Sequence, residues 1–203
     1  MNNLKRKKRN SYFGYHFFCT LVIPIGYLVF GGKVYNRDKI PKNEGFVFAG
    51  NHIDNYDPYL LCSVTRRPLH FIAKKELFSN FITNWFFNVM HLISVDRKNK
   101  NPEAVNEAIE LLKEDKVVCI FPEGTYHKED ILLPFKPGAV DFAIKSDKLI
   151  VPFAIIGKYR FRSNPKVYIG DPLDVSGMSI EDANKLLEST VKKLILDNQK
   201  KEN

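Results

Sequence analysis

The chain contains the run Phe46-Val47-Phe48-Ala49-Gly50-Asn51-His52-Ile53-Asp54-Asn55-Tyr56-Asp57-Pro58, which is apolar at its start and polar from Asn51 on. Its first four residues have the apolar side chains expected of a buried strand. His52 follows that strand, and Asp57 lies five positions further on. An imidazole can take a proton from a hydroxyl near neutral pH, and a nearby carboxylate fixes its tautomer and stabilises the imidazolium. The run therefore predicts a strand that presents a base and its orienting acid.

A histidine and an aspartate at this spacing also have other uses. Most such pairs are structural or surface hydrogen bonds, and His52, Asp54 and Asp57 together could be metal ligands in a hydrolase. No second histidine with ligand spacing accompanies them, and His70 and His91 are expected to be packed or surface residues at strand starts. We therefore expect no metal and no other cofactor.

Beyond this run, short apolar stretches alternate with helical patterns. Strands are predicted at 46–49, 69–73, 92–95, 117–121, 149–156 and 166–169. Helices are predicted to begin after Asn101, with Pro102 in the first position, and after Ser179. This alternation indicates the α/β class, with a mostly parallel central sheet flanked by helices. In such folds the ligand groups lie beyond the carboxyl ends of the strands.

A polar turn follows the strand at 117–121, in the sequence Phe121-Pro122-Glu123-Gly124-Thr125. Gly124 permits a tight turn and a close approach of a ligand to the backbone, since it has no Cβ. Glu123 and Thr125 offer an acceptor and a donor to hydroxyls or phosphate. Taken alone, the turn fits a plain strand end equally well.

Basic residues also follow two other predicted strands and precede one predicted helix. Arg97 follows the strand at 92–95, Lys75 follows the strand at 69–73, and Lys136 precedes the helix that opens at Gly138. Arginine can clamp a phosphate, and the free amides of a helix start can hold an anion. Each residue alone could be a solvated surface charge, but their convergence predicts one anion-binding site at the carboxyl edge of the sheet.

The amino-terminal forty residues have a different composition from the rest of the chain. Lys5-Arg6-Lys7-Lys8-Arg9 supplies five of the net +8 charges, which leaves +3 for all other residues. Such a local patch differs from the broad basic face, with aromatics interleaved, of a nucleic-acid-binding protein, so we expect no nucleic-acid partner. Residues 12–30 are mostly aromatic and aliphatic, close to the ~20 apolar residues of a spanning helix, but Pro24 and Gly26 interrupt them.

Four interpretations of this apolar run compete. A cleaved signal peptide would need a small-residue cleavage site, which is missing, and an ordinary buried helix would not need the basic cluster. A single span would put His52 outside, whereas the scattered Cys19, Cys62 and Cys119 suit a reducing interior. We favour a helix-turn-helix, broken near Pro24 to Gly26, that lies in one leaflet with both ends cytoplasmic and its cations against anionic lipids.

Taken in order, the His52 and Asp57 pair, Val95-Asp96-Arg97, Phe121-Pro122-Glu123-Gly124-Thr125 and Val151-Pro152-Phe153 resemble the glycerophospholipid acyltransferases, specifically the 1-acyl-glycerol-3-phosphate (lysophosphatidate) acyltransferases. The resemblance covers nearly the whole chain. It implies transfer of a fatty acyl group from a thioester, on coenzyme A or acyl carrier protein, to the free 2-hydroxyl of lysophosphatidate, which gives phosphatidate in phospholipid biosynthesis. It also implies that His52 is the base and Asp57 its partner, and that Arg97, Glu123, Gly124 and Thr125 hold the acceptor.

The resemblance also implies a division of the chain and a location. Residues 1–40 are expected to form the basic cluster and membrane-associated helical segment, and residues 41–203 are expected to form the acyltransferase domain. The enzyme is expected at the cell membrane, peripheral or monotopic, with the catalytic domain on the cytoplasmic side. Because a thioester is already activated and no Gly-x-Ser-x-Gly block is present, the hydroxyl is expected to attack it directly. Backbone amides near His52 or Lys75 are candidate donors to the oxyanion.

The chain departs from the family pattern directly after Thr125. Members commonly continue with Arg and Ser, whereas Tyr126 and His127 stand here. Either Lys128, Lys136 or Arg97 replaces the missing phosphate-binding charge, or the acceptor is another lysolipid or lipid hydroxyl. An alternative of a different class is a non-enzymatic lipid-binding module that docks on membranes, but such a module has no need of a base and its orienting acid.

Overall fold

The computed structural model describes residues 12–78, 80–96, 102–126 and 131–200. A seven-stranded sheet runs through this part of the chain, in the order β1-β7-β6-β2-β5-β3-β4. The strands are β1 (Lys33–Tyr35), β2 (Phe46–Gly50), β3 (Leu69–Lys74), β4 (Ile93–Val95), β5 (Val117–Ile120), β6 (Ile150–Ile156) and β7 (Lys166–Ile169). Every neighbouring pair is parallel except β6 with β7. The predicted α/β class is confirmed, and the six predicted strands agree with β2 to β7 within one residue at each end.

Helices cover both faces of this sheet. They are α1 (Phe13–Phe30), α2 (Asp57–Cys62), α3 (Phe81–Val89), α4 (Pro102–Lys113), α5 (Gly138–Ser146) and α6 (Ile180–Gln199). Successive side chains of a strand point to opposite faces, so that Val47 packs with α4, α5 and α6, while Phe46 and Phe48 pack with α1 and α2. The predicted helix starts are confirmed at Pro102 and at Ser179, whose hydroxyl accepts a hydrogen bond from the Asp182 amide.

The amino-terminal helix differs from the prediction. Residues 13–30 form one continuous helix with Pro24 inside it, rather than a helix-turn-helix broken near Pro24 to Gly26. Packing is the reason, because Gly26 is buried against the ring of Tyr59 on α2, where a Cβ would overlap with the ring. Gly26 therefore allows two helices to touch, and the chain turns only at Gly31, whose φ of 74° lies in the left-handed region. The basic cluster at 5–9 lies outside the described residues.

Three elements were not predicted. The short edge strand β1 has no clear alternation of its own, and it is held by parallel pairing with β7 and by stacking of Tyr35 on Tyr168 with ring centroids 4.6 Å apart. Helix α2 has only 6 residues, which is too short for a helical period. Helix α3 has only 9 residues, fewer than the stretch over which a helical period is recognised.

Candidate active site

The polar groups that follow three neighbouring strands lie at one edge of the sheet. Strands β2, β5, β3 and β4 lie side by side and run parallel, so their carboxyl ends meet at the same edge. His52 follows β2, Glu123 follows β5 and Lys75 follows β3. Arg97 comes two residues after the end of β4 but lies outside the described residues. The shared edge of His52, Glu123 and Lys75 therefore follows from the strand order.

The His52 ring is fixed by a short hydrogen bond to Asp57. Nδ1 of His52 lies 2.6 Å from Oδ2 of Asp57. With Asp57 ionised, Nδ1 carries the hydrogen and donates it, which leaves Nε2 as the nitrogen that can accept a proton. The His52 side chain is 16% exposed and that of Asp57 is fully buried. The pair thus has the geometry of a base reached from solvent and an orienting acid beneath it.

Asp57 is stabilised as a buried carboxylate by the turn that precedes α2. Its Oδ2 also accepts hydrogen bonds from the amides of Ile53, at 2.7 Å, and Asp54, at 3.0 Å. Asp54 closes the same turn, because its own Oδ1 accepts a hydrogen bond from the Tyr56 amide. The five-residue spacing of His52 and Asp57 is therefore the length of a turn that folds the acid back under the base.

A second carboxylate holds the backbone of His52. Oε1 of Glu123 accepts a hydrogen bond from the His52 amide at 2.7 Å, and Oε2 accepts one from the Leu133 amide at 2.8 Å. Glu123 is only 5% exposed. The side chain therefore joins the end of β2 to the turn after β5. The amides of His52, Ile53 and Asp54 all donate to carboxylates, so these three amides are already paired.

Aromatic and amide contacts fix the rest of this strand end. The His52 ring stacks on Phe121 with ring centroids 4.0 Å apart. The Tyr126 ring makes a T-shaped contact with the His52 ring, with centroids 5.8 Å apart. One residue earlier, the buried Asn51 side chain donates to the Ile155 carbonyl at 2.8 Å and accepts from the Ile155 amide at 2.7 Å. Asn51 is thus held by β6, and His52 is held by Asp57 and Glu123, as expected of a preorganised site.

Comparison with known proteins identifies this arrangement. A family model described as Acyltransferase matches residues 32–156, which include His52, Asp57, Glu123 and the turn at Leu133. The chain belongs to the Acyltransferase family. The predicted resemblance is confirmed, and the chain is an acyltransferase rather than a lipid-binding module without catalysis.

Individual relatives agree with this assignment. A 1-acyl-sn-glycerol-3-phosphate acyltransferase of Bacillus subtilis (strain 168) is 37% identical over 163 residues, which are 77% of this chain and 81% of the relative. One of Streptococcus pneumoniae (strain ATCC BAA-255 / R6) is 29% identical over 184 residues, 86% of this chain and 68% of the relative. The crystal structure of the 1-acyl-sn-glycerophosphate (LPA) acyltransferase PlsC from Thermotoga maritima matches with a TM-score of 0.75 at 26% identity, over 90% of this chain and 80% of that one.

The other described residues of the predicted site lie in the turn after β5, just before α5 and just after β3. Gly124 has a left-handed φ of 78°, and the adjacent Thr125 is exposed. The Lys136 amide donates to the Pro122 carbonyl at 3.0 Å, which brings an exposed lysine beside the polar turn. Lys75 is also exposed, with Nζ 3.6 Å from Oδ2 of Asp96. His127 and Lys128 lie outside the described residues.

Sequence reasoning missed Tyr159, which lies beyond the end of β6. Its hydroxyl and Oδ1 of Asp57 are both buried, and neither has a hydrogen-bond partner within the part of the chain that the structure describes. Burial, and after it the charge of Asp57, raise the pKa of Tyr159 above its ordinary value. The two groups are therefore neighbours in the buried layer beneath His52. A tyrosine more than a hundred residues from Asp57 gives no local signal in the sequence.

The cysteine nearest to this site is not suited to act as a nucleophile. Cys119 lies on β5 and is fully buried. Burial, followed by the negative charge of Asp57, raises the pKa of the Cys119 thiol. A thiol in that environment stays protonated near neutral pH and is therefore a poor nucleophile. Within the described ranges, no group of three or more His, Cys, Asp and Glu residues is placed to hold a metal ion.

Replacing Glu123 by glutamine tests its contact with the His52 backbone. The amide of glutamine can accept only one of the two hydrogen bonds, so the other buried N–H is left unpaired at a cost of about 1–3 kcal/mol in the free energy of unfolding. A shift of His52 should also lower kcat, by about tenfold. Chemical unfolding and steady-state kinetics measure the two effects. Glu114→Gln, at an exposed position, is the matched control, and equal behaviour of both variants would contradict the bridging role.

Proposed function

We propose that this acyltransferase moves a fatty acyl group from an acyl thioester, on coenzyme A or acyl carrier protein, to the free 2-hydroxyl of lysophosphatidate. The product is phosphatidate, an intermediate of phospholipid biosynthesis. The observation that carries the proposal is the 2.6 Å bond between Nδ1 of His52 and the buried Asp57 carboxylate. The acceptor is inferred from the activity in the names of the relatives of Bacillus subtilis and Streptococcus pneumoniae.

His52 acts as the general base in the first step. Nε2 takes the proton of the 2-hydroxyl as the oxygen attacks the carbonyl carbon of the thioester, and a C–O bond forms while the carbonyl π electrons move to the oxygen. Asp57 stabilises the imidazolium that results through the bond to Nδ1. General base catalysis of this kind contributes roughly 10²–10⁴-fold to the rate.

Collapse of the tetrahedral intermediate completes the transfer. The C–S bond breaks, the thiolate leaves, and His52 returns its proton to the sulfur, so that the enzyme ends in its starting state. No acyl-enzyme is formed, in keeping with the protonated and buried Cys119 thiol. Donors at Lys75 stabilise the oxyanion of the intermediate, because the amides from His52 to Asp54 already donate to Asp57 and Glu123.

Cationic groups and the polar turn bind the phosphate of the acceptor. Gly124 and Thr125 approach it with backbone and hydroxyl groups, and Lys136 and Arg97 supply the charge that the family pattern places after Thr125. Glu123 belongs to the same binding turn but acts by positioning, since both of its oxygens accept backbone N–H bonds and a carboxylate repels phosphate.

The enzyme works at a membrane. By length and composition, helix α1 is long and apolar enough to cross a bilayer, and it is mostly exposed. We place it in the cytoplasmic leaflet as a peripheral or monotopic anchor, with residues 1–40 as the membrane segment and 41–203 as the acyltransferase domain. Anionic headgroups then neutralise the cluster at 5–9. Both the lysolipid and the product reside at the same surface.

A product assay tests the proposed acceptor and donor. The purified enzyme is incubated with either acyl-CoA or acyl carrier protein thioester and with a panel of lysolipids, and the products are measured by lipid mass spectrometry. We expect phosphatidate from lysophosphatidate and far slower acylation of lysolipids whose phosphate carries a headgroup. Faster acylation of any other acceptor would contradict the proposed substrate, and the donor that supports the reaction identifies the carrier.

Tyr159→Phe tests whether the buried hydroxyl supports Asp57. The substitution keeps the ring and removes the hydroxyl, so that kcat should fall about three- to tenfold while KM for both substrates stays constant. Tyr35→Phe, on the far edge strand, is the matched control. An unchanged kcat in Tyr159→Phe would leave Tyr159 without a positioning role.

A further inference from the structure

The outer face of α1 presents an apolar surface along its whole length. Phe17, Leu21, Ile25 and Leu28 are each more than half exposed, between 53% and 68%. Soluble proteins rarely expose contiguous apolar surfaces of this size, and a surface of this kind commonly marks contact with a partner or a membrane. The catalytic domain extends this surface at both ends of the helix.

Helix α3 of the catalytic domain adjoins the amino-terminal half of α1. The ring centroid of Phe18 lies 6.1 Å from that of Trp85 and 5.3 Å from that of Phe86. On the outer side of α3, Phe81 is 86% exposed and Ile82 is 75% exposed, and Trp85 at the seam between the helices is 54% exposed. No charged residue occurs between residues 81 and 89. The exposed apolar surface of α1 thus continues onto α3.

The loop after β6 meets the opposite end of α1. The amide of Arg162 donates to the Val29 carbonyl at 2.8 Å, and the amide of Asn164 donates to the Phe30 carbonyl at 2.8 Å. These bonds satisfy carbonyl groups that the end of a helix leaves unpaired. At the tip of the loop, the Phe161 side chain is 78% exposed. The Phe161 loop, residues 157–165, is therefore a fixed extension of α1.

The tip of the Phe161 loop is a closed turn that carries only positive charge. The Ser163 hydroxyl accepts from the Arg160 amide at 2.9 Å and donates to the Arg160 and Lys158 carbonyls. Arg162 has a left-handed φ of 54°, which is uncommon for a residue other than glycine. Lys158, Arg160 and Arg162 are exposed, and no acidic residue lies between 157 and 165. An aromatic ring between cations on a fixed turn matches the apolar interior and anionic surface of a bilayer.

We infer that α3 and the Phe161 loop are two lipid contacts of the catalytic domain itself, which hold it on an anionic bilayer at either end of α1. The inference rests on the proposed membrane position of α1. A bilayer is the occupant that fits, because the two contacts continue a helix of membrane-spanning length and composition, and because the cations stand beside the apolar tip. With three contacts rather than one, the domain has a fixed orientation, with its strand ends held at one height above the lipid.

Trp85 is the only tryptophan of the chain, so that its fluorescence reports directly on α3. The full chain is mixed with vesicles of phosphatidylcholine and phosphatidylglycerol, with and without bromine atoms on the acyl chains. We expect a blue shift of the emission on binding and quenching by the brominated lipid. Binding to vesicles without any quenching would overturn the contact at α3. A blue shift that depends on protein concentration in the absence of vesicles would instead indicate a second copy of the chain as the occupant.

Phe161→Ser tests the other contact. Loss of one inserted aromatic side chain should weaken vesicle binding about tenfold, and high salt should weaken the binding of the unmodified chain. Leu196→Ser is the matched control, because Leu196 is 47% exposed on α6, across the sheet from α1. Equal binding of the two variants would overturn the contact at Phe161. Acyl transfer to a short-chain lysolipid without vesicles should be unchanged in Phe161→Ser, so a failure of the docking surface is distinguishable from a failure of the proposed reaction.

Discussion

His52→Ala is expected to lower kcat for acyl transfer by about 10²–10⁴-fold, with little change in the binding of either substrate. The variant loses the group that takes the hydroxyl proton, whereas the cationic residues around the polar turn remain in place. Steady-state kinetics with a labelled acyl thioester measure the effect. Because the buried Asp57 carboxylate loses one hydrogen-bond partner, the free energy of unfolding should also fall, by about 1–3 kcal/mol.

A control variant shows whether a loss of activity in His52→Ala reflects a general loss of structure. His16→Ala removes an exposed histidine on α1, far along the chain from the strand ends, and should keep its activity within about twofold. Circular dichroism and vesicle binding should be the same for both variants. A fully active His52→Ala enzyme would exclude His52 as the base.

Asp57→Asn is expected to lower kcat by a similar factor, on the order of 10²–10⁴-fold. Asparagine has nearly the same shape, so that its oxygen can still accept hydrogen bonds from Ile53 and Asp54. The oxygen that takes the place of Oδ2 also faces Nδ1, but it has no charge to stabilise the imidazolium of His52. The loss should therefore fall on kcat, while the folded state is largely retained.

Asp54→Asn distinguishes general base catalysis by His52 from a metal-dependent mechanism. The Asp54 side chain accepts one hydrogen bond from the Tyr56 amide, which asparagine can accept equally well, so activity should stay within about twofold. A hydrolase that used His52, Asp54 and Asp57 as ligands would lose most of its activity in this variant. If Asp57→Asn retains full activity, the hydrogen bond between Nδ1 and the carboxylate has no catalytic role.

Most of the fold could be predicted from the sequence, since it follows from local patterns. Buried parallel strands are short continuous apolar runs, and 46–49 and 117–121 had that pattern together with breaking residues at their ends. The strand β1 could not be predicted in this way, because the partner that makes it a strand, β7, is far away in the chain. The path of α1 was mispredicted for a related reason. Gly26 favours a turn by its own conformational freedom, but the ring of Tyr59 requires a glycine at that point of a helix.

The site was predictable where its residues follow strands and less so where they meet across the sheet. His52 and Asp57 lie within one turn, so that their pairing could be expected from spacing alone. The role of Glu123 as a bridge depends on the order of β2 and β5 in the sheet, which a single sequence does not give. Tyr159 requires still more, since β6, the end of α1 and the turn before α2 all have to be placed before its hydroxyl is seen near Asp57.

Phosphatidate formation by the membrane-bound enzyme and by its His52→Ala variant tests the central claim most directly. Both proteins are reconstituted in vesicles at equal amounts, supplied with labelled acyl thioester and lysophosphatidate, and the labelled phosphatidate is measured over time. The account predicts steady formation by the unmodified enzyme and a rate at least about a hundredfold lower for His52→Ala. Equal rates from the two proteins, or the absence of labelled phosphatidate from the unmodified enzyme with either thioester carrier, would contradict it.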